Sequence, residues 1–537
     1  MSARVLAVRL GVPPLRIAVL ALGALVALPV LAVLVRLFSP WGENWAHLVA
    51  TVLGEYLALT AGLALAVGAV TAVLGTACAW LTTMCRFPLA RFFEWALLLP
   101  LAVPAYVMAY VYTDFLQYTG PVQTALRRTF GWQGGDYAFP AIRSPGGAAF
   151  VLAFVLYPYV YVLARAAFAA LPASAFDTAR ALGAGAWSAF FRVALPLARP
   201  GIAAGTALAV MEVLADYGAV AYFGVNTLAT GIYRAWFSLG DLTLAAQLGS
   251  LLLFFVAAVL AAERLARGRA AFHATERRAI PRFRLRGLRA AAAFGCCALP
   301  FVAGFALPAL LLLRLALDED AALPWVRFVQ AAGNSLVLAA AGALLTVGCA
   351  LVLAYGARVH PGAASRALAR LAASGYAVPG VVLAIGVMGP VALADRTLAA
   401  LGIGALLGGT AAALLYAYAV RFLAVALQSV EAGLARVRRA MEDAARSLGL
   451  RPAETLARVH APLIAPSVLA ALLLCFVDVM KELPATLALR PFDFDTLAVL
   501  AFNYAKDERL AEAALPSLAI VACGLAPVVL LARSMAR

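Results

Sequence analysis

The chain has 537 residues, of which 65% are hydrophobic and 13% charged, with a mean hydropathy of +0.94. Soluble domains carry about 25% charged residues, so this composition excludes a soluble class and describes an integral membrane protein. The formal net charge of +16 is almost all arginine, Lys481 and Lys506 being the only lysines. These arginines fall in short clusters between apolar runs, the distribution of the positive-inside rule, and not in a basic domain or tail that would hold nucleic acid.

Apolar runs long enough to span a bilayer core fall at about 15–37, 56–81, 92–116, 148–170, 200–223 and 242–262. A second set follows at about 290–314, 332–356, 370–394, 406–428, 465–488 and 511–532. Arg4, Arg9 and Arg16 precede the first run, Ile17–Val35. It is longer than a signal-peptide core and no small-residue cleavage site follows, so it is read as a retained span. The expected fold is all-α, about twelve transmembrane helices in two sets of six. Helices are the open-ended elements that satisfy their own backbone in lipid.

Arginine sets the orientation. With the N-terminus inside, the inside loops carry Arg86, Arg91, Arg192, Arg199, Arg358, Arg366 and Arg370. Residues 263–289 alone hold nine Arg. This linker divides the chain into a first six-helix repeat, 1–262, and a second, 290–537, in the same orientation, with both termini inside. One outside loop, 117–147, dissents with Arg127, Arg128 and Arg143. The seven cysteines lie in or beside apolar runs without CxxC or Cys/His spacing, and are read as small packing residues.

The halves repeat in sequence. DTARALGAGAWSAFFRVALPLARP, Asp177–Pro200, aligns without a gap with DAARSLGLRPAETLARVHAPLIAP, Asp443–Pro466, at an offset of 266 with ten of 24 positions identical. LAVPAYVMAY (101–110) echoes YAVPGVVLAI (376–385) at an offset of 275, and the outside loop TFGWQGGDYAFPAIRSPGG accommodates the nine extra residues. Parallel repeats of this kind commonly place a substrate route at their interface. Each long segment is too polar to span. It reads as a helix–turn–helix on the inner surface: a short helix from the Asp, a break at Gly183 or Gly449, then a second short helix ending near Pro196 or Pro462. Small residues such as Ala179 and Ala445 allow close approach of another backbone. One copy alone could be an interfacial helix resting on the bilayer; two at equivalent points of a duplicated chain favour paired docking elements. His460, inside the second segment, is read as a solvated surface residue.

The pattern acidic-x-Ala-x(3)-Gly-x(12)-Pro, here Asp177, Ala179, Gly183, Pro196 and Asp443, Ala445, Gly449, Pro462, resembles the "EAA" loop of type I ABC importer permeases (MetI-like fold). Both copies have Asp for the usual Glu, and the first has Thr178 where an Ala would stand. The resemblance covers nearly the whole chain. It implies a bacterial inner-membrane, multi-pass subunit whose two loops dock two cytoplasmic ATPase subunits, with a periplasmic solute-binding protein as the further partner. KELPATLALRPFDFDTLA, Lys481–Ala498, is similar to ferric-iron permeases, which makes ferric iron the first cargo expected. Thiamine or another small cationic or phosphorylated solute is the alternative.

The chain has no GxxxxGK[ST] phosphate loop. It is therefore expected to be non-catalytic, with no cofactor of its own, ATP and Mg being bound by the partner. No metal site with His ligation is expected. An ion-coupled secondary transporter would share the twelve helices but needs no repeated docking segment; a membrane enzyme would need a His, Cys or Ser/His/Asp cluster.

Charges inside spans cost about 2.5–3.5 kcal/mol and are functional candidates. Glu212 and Asp216 stand four apart in the fifth run, and Asp478 and Glu482 occupy the matching positions of the eleventh. Four-residue spacing puts each pair on one helix face, so the four carboxylates are candidates for lining the translocation route; pairing with Lys481 is the structural alternative. Arg421 is expected to be interior and paired, its partner unidentified. Pro104 and Pro379 are expected to kink their spans as gate candidates.

Overall fold

The computed structural model describes residues 14–172, 174, 181, 183, 186–267, 282–317, 324–359, 375, 378–404, 406–450 and 452–536. In chain order its main helices are α1 (Leu15–Arg36), α2 (Leu53–Met84), α3 (Ala90–Ala96), α4 (Ala105–Leu116), α5 (Pro145–Ala169), α6 (Phe190–Ala215), α7 (Gly218–Tyr222), α8 (Leu242–Arg267) and α9 (Leu288–Ala316). There follow α10 (Trp325–Val359), α11 (Gly380–Ala400), α12 (Ala411–Ala435), α13 (Arg439–Ser447), α14 (Leu456–Met480), α15 (Pro484–Leu489), α16 (Leu497–Lys506) and α17 (Leu510–Ala536). Among the described residues eleven helices are long and apolar enough to cross a membrane.

The expected third span, 92–116, is not one straight helix. Ala90–Ala102 and Ala105–Phe130 meet at 94°. The sequence between them explains the break: Val103 is extended and Pro104 (φ −63°, ψ 144°) stands at the N-cap of α4, where a missing N–H costs nothing but the preceding residue is pushed out of helix. Pro379 occupies the same place before α11, at φ −57° and ψ 141°. Both prolines therefore start helices, and at Pro104 the expected kink is a full break of the span.

Pro196 and Pro462 act differently from expectation. Neither ends a short surface helix. Helix 186–189 continues through a π-turn, Phe190–Ala194, into Leu195–Ala215, and helix 452–455 continues through Leu456–His460 into Ala461–Met480. Leu195 N–H bonds to Phe190 O, and Ala461 N–H to Leu456 O. A proline ring inside a helix clashes with the carbonyl four residues back; widening the turn to an i→i+5 bond makes room. The same pairing recurs in α9, where Val302–Ala306 is a π-turn and Pro308 follows.

The chain forms two compact units whose segments are not contiguous. One comprises Met1–Asn44, Ile232–Ser250 and Pro324–Leu500; the other comprises Trp45–Gly231, Leu251–Leu323 and Ala501–Arg537. In the first, α10, α12 and α14 pack on one another, and α1 lies along α11. Gly386 makes that contact close: a Cβ there would overlap the carbonyl of Pro29. In the second unit α2, α5 and α6 form the equivalent three-helix core, and α17 packs against the end of α9. Gly75 and Gly205 let helix backbones touch there, since a Cβ on either would meet the α5 backbone near Val160 at under 3 Å. Small residues at crossings are how helices pack where lipid supplies no hydrophobic drive between them.

The described end of the arginine-rich linker belongs to the second unit. Phe283–Arg284 pairs in parallel with Cys85–Arg86 as a two-stranded ribbon. Arg282 and Arg165 both reach Glu94, at 3.1 and 3.0 Å, on α3. Two of the three dissenting arginines of 117–147 also have partners in this unit. Arg143 pairs with Glu508, and Arg127 lies 4.1 Å over the Tyr118 ring and donates to Tyr137 at 3.0 Å.

Candidate docking segments and intramembrane charges

Asp177 and Ala179, with residues 178, 180, 182, 184 and 185 of the first docking segment, lie outside the described residues. Gly183 is described: it is exposed with φ +80°. Pro196 is exposed on the first turns of α6.

The second segment is described nearly throughout. α13 carries Glu442 in its first turn, where a carboxylate complements the helix dipole. It ends at Gly449, φ +81°, with Leu450 N–H on Ala445 O at 3.1 Å. This is a glycine C-cap in which the left-handed conformation falls on the residue that adopts it without a Cβ clash. Among the described residues nothing lies within 4 Å of where a Cβ of Gly449 or Gly183 would be. Asp443, Gly449 and Pro462 are exposed, whereas Ala445 is 4% exposed. Ala445 therefore faces its own chain and is not part of a surface open to another backbone.

The residue before Asp443 was not anticipated from sequence. Glu442 Oε1 accepts from Arg358 Nε and lies 2.9 Å from His460 Nε2. Arg358, in the last turn of α10, also donates to the carbonyls of Leu434 and Val437 at and just beyond the end of α12. His460 is fully buried, its ring edge-on to Tyr355 with centroids 5.3 Å apart. It is not a solvated surface residue. Burial pushes the Glu442 carboxyl up, but the hydrogen bonds from His460 and Arg358 outweigh it, leaving the group below the ordinary glutamate range. The available signals were weak: two acids in tandem, Glu442-Asp443, and an arginine at the end of a span.

The four intramembrane carboxylates do not share helix faces in pairs. α6 ends at Ala215 and α14 at Met480, eight residues before the ends expected from hydropathy. Glu212 and Asp478 are on the helices; Asp216 and Glu482 lie beyond them. Asp216, extended at ψ 131°, accepts from the backbone N–H of Ala219 and Val220 at 3.1 and 3.0 Å and so caps α7. Glu482 does the same for α15, accepting from Ala485 and Thr486 N–H, both at 2.9 Å. Each span is thus followed by a short helix, and the second acid of each pair satisfies that helix's orphan donors.

Glu482 has more partners. It lies 3.5 Å from Arg421 Nη1 and 2.6 Å from the Thr486 hydroxyl, which itself bonds Tyr418 at 2.6 Å. Arg421 is interior and paired, as expected, and Glu482 is the partner. Gly380, the first residue of α11, is required beside them: a Cβ there would overlap the Arg421 guanidinium and stand 2.8 Å from Glu482 Oε1. Asp478 pairs with Lys481 at 2.9 Å. Among the described residues no group of three or more His, Cys, Asp or Glu is arranged to hold a metal ion.

Two stretches, residues 71–269 and 336–537, match the model of the family described as binding-protein-dependent transport system inner membrane component. The chain belongs to that family. It is a type I ABC transporter permease carrying the family's domain twice, a multi-pass membrane subunit of two repeats. It is 26% identical over 472 residues, 87% of this chain and 86% of the relative, to the Fe(3+)-transport system permease protein FbpB 2 of Haemophilus influenzae. The permease is 34% identical over 148 residues, 28% of this chain and 62% of the relative, to the molybdenum transport system permease protein ModB of Escherichia coli. It is also 28% identical over 203 residues, 38% of this chain and 68% of the relative, to the sulfate transport system permease protein CysT of Synechocystis.

Proposed function

We propose that this permease is the membrane subunit of an ATP-driven importer of ferric iron, with both termini in the cytoplasm of a bacterial cell and the chain in its inner membrane. Two cytoplasmic ATPase subunits bind the docking segments around Gly183 and Gly449; they hold the ATP and Mg, and this chain supplies no catalytic group or cofactor. A periplasmic binding protein delivers the cargo to the outer face. Closure of the ATPases on ATP moves the segments and, through α6 and α14, the spans. The observation that carries the coupling part is helical continuity: helix 452–455 runs through a π-turn into a membrane span without a hinge, as does helix 186–189. A push on the segment is therefore a push on the span. The cargo reading is supported by the extent of the likeness to the Fe(3+) permease, 87% of this chain, against 28–38% for the molybdenum and sulfate relatives.

The test of docking is co-purification of the chain with its ATPase, comparing wild type with Gly183→Asp plus Gly449→Asp. Asp tolerates a positive φ better than most residues and both sites have room for it, so the variant is expected to insert normally and lose most ATPase binding. Unchanged binding would remove the docking reading. For cargo, uptake into proteoliposomes bearing the complete complex is expected for ferric iron and not for molybdate, sulfate or thiamine; the reverse pattern replaces iron.

A further inference from the structure

We propose that Glu442, Arg358 and His460 are positioning residues that clamp the second docking segment to the ends of three spans, so that movement of a bound ATPase reaches those spans as a rigid-body displacement. This rests on the reading of the segment as an ATPase dock. The clamp joins four elements at one point. Glu442 stands on the first turn of α13, Arg358 on the last turn of α10, and His460 at the foot of α14, while the Arg358 guanidinium also holds the Leu434 and Val437 carbonyls at the end of α12. Without it α13 would be tied to the spans through the short chain links on either side, 436–438 and 448–451, and through packing of its buried face at Ala445. With it, α13 is closed into a loop pinned by charge-assisted hydrogen bonds, which are about twice as strong as neutral ones. All three side chains are at most 18% exposed, so water competes little for the contacts.

The clamp also makes the two docking segments unequal. Phe176 and Ala194 stand where the second repeat has Glu442 and His460. Neither can accept or donate a side-chain hydrogen bond, so the first segment cannot build this link from the corresponding positions. Asp443, next to Glu442, is exposed, while its neighbour is turned inward. One residue of the tandem acid pair serves the dock and the other serves the transmission.

The test uses the full complex in proteoliposomes, with cargo transported per ATP hydrolysed as the readout, and hydrogen exchange on the permease alone. Glu442→Gln is expected to leave ATPase binding intact, to speed amide exchange in 439–450, and to lower the transport-to-hydrolysis ratio by about tenfold or more, the scale of one lost charge-assisted hydrogen bond. His460→Gln, which keeps a side-chain N–H toward Glu442, should restore most of the ratio that His460→Ala loses. Arg358→Lys, which keeps charge but loses the multi-point fork, should not rescue; it also serves if Glu442→Gln fails to insert. A loosened α13 with an unchanged transport-to-hydrolysis ratio overturns the proposal, because the clamp would then be structural only. So does a parallel loss of transport and hydrolysis. Failure of the wild-type chain to bind any ATPase would instead remove the docking reading itself, and is seen before a variant is made.

Discussion

The ends of α6 and α14 occupy matching places in the two repeats and solve the same local problem with different amounts of machinery. Asp216 caps α7 through two backbone N–H groups. Glu482 caps α15 in the same way and also holds Arg421, Thr486 and, through Thr486, Tyr418. The shared part is dictated by the backbone: a helix that restarts within the membrane exposes N–H groups that lipid cannot satisfy. The added part depends on Arg421, Thr486 and Tyr418, since positions 155, 220 and 152 at the same offset in the first repeat are Val, Val and Leu. Repetition thus preserves the cap, and three differences between the repeats build a polar network on top of it. A carboxylate at these positions is explained by capping before any contact with cargo is invoked.

Four substitutions sharpen or break this comparison. The largest effect is expected at Glu482→Ala, which removes a cap and leaves Arg421 buried without its acid. Breaking a buried pair by removing one partner costs about 3–5 kcal/mol, to be read from SDS-titration unfolding of the purified chain. If Arg421→Met in the same background fails to recover a substantial part of that loss, the network does not depend on the pair. Asp216→Ala should cost about 1 kcal/mol, the ordinary value of an N-cap. A loss as large as that of Glu482→Ala would mean that Asp216 holds more than the cap. The smallest effect is expected at Lys481→Met: its pair with Asp478 is partly exposed, and such pairs contribute about 0–1 kcal/mol. A clear fall in transport with unchanged unfolding would instead return Asp478 to the translocation route.

Much of the fold was legible because its signals are local. Apolar run length fixed the number and order of crossings to within one broken span, and the gap-free repeat at 177–200 and 443–466 marked the segments between them. Gly183 and Gly449 announced their turns, and both adopt the left-handed conformation. Where helices stop was not legible in the same way. Hydropathy carried the fifth and eleventh runs past Asp216 and Glu482 because α7 and α15 are apolar themselves; the interruption is made by one polar side chain turning back on the backbone. Pro196 and Pro462 mislead in the opposite direction, since a π-turn absorbs a proline without ending the helix.

The sequence by itself determined that this is a membrane protein of two repeats, where its surface segments lie, and which charges are buried at a cost. Tertiary structure decided the partners. That Glu442 rather than Asp443 faces inward, that His460 is sealed beneath it, that Arg421 meets Glu482, and that α1 packs along α11 of the other repeat are contacts between residues 18 to several hundred positions apart. Helical periodicity encodes which face of one helix is apolar; it does not encode which other helix covers that face. In lipid, where apolar side chains gain little by leaving the solvent for each other, that choice falls to small residues that fit, such as Gly386 on Pro29, and to charges that find each other.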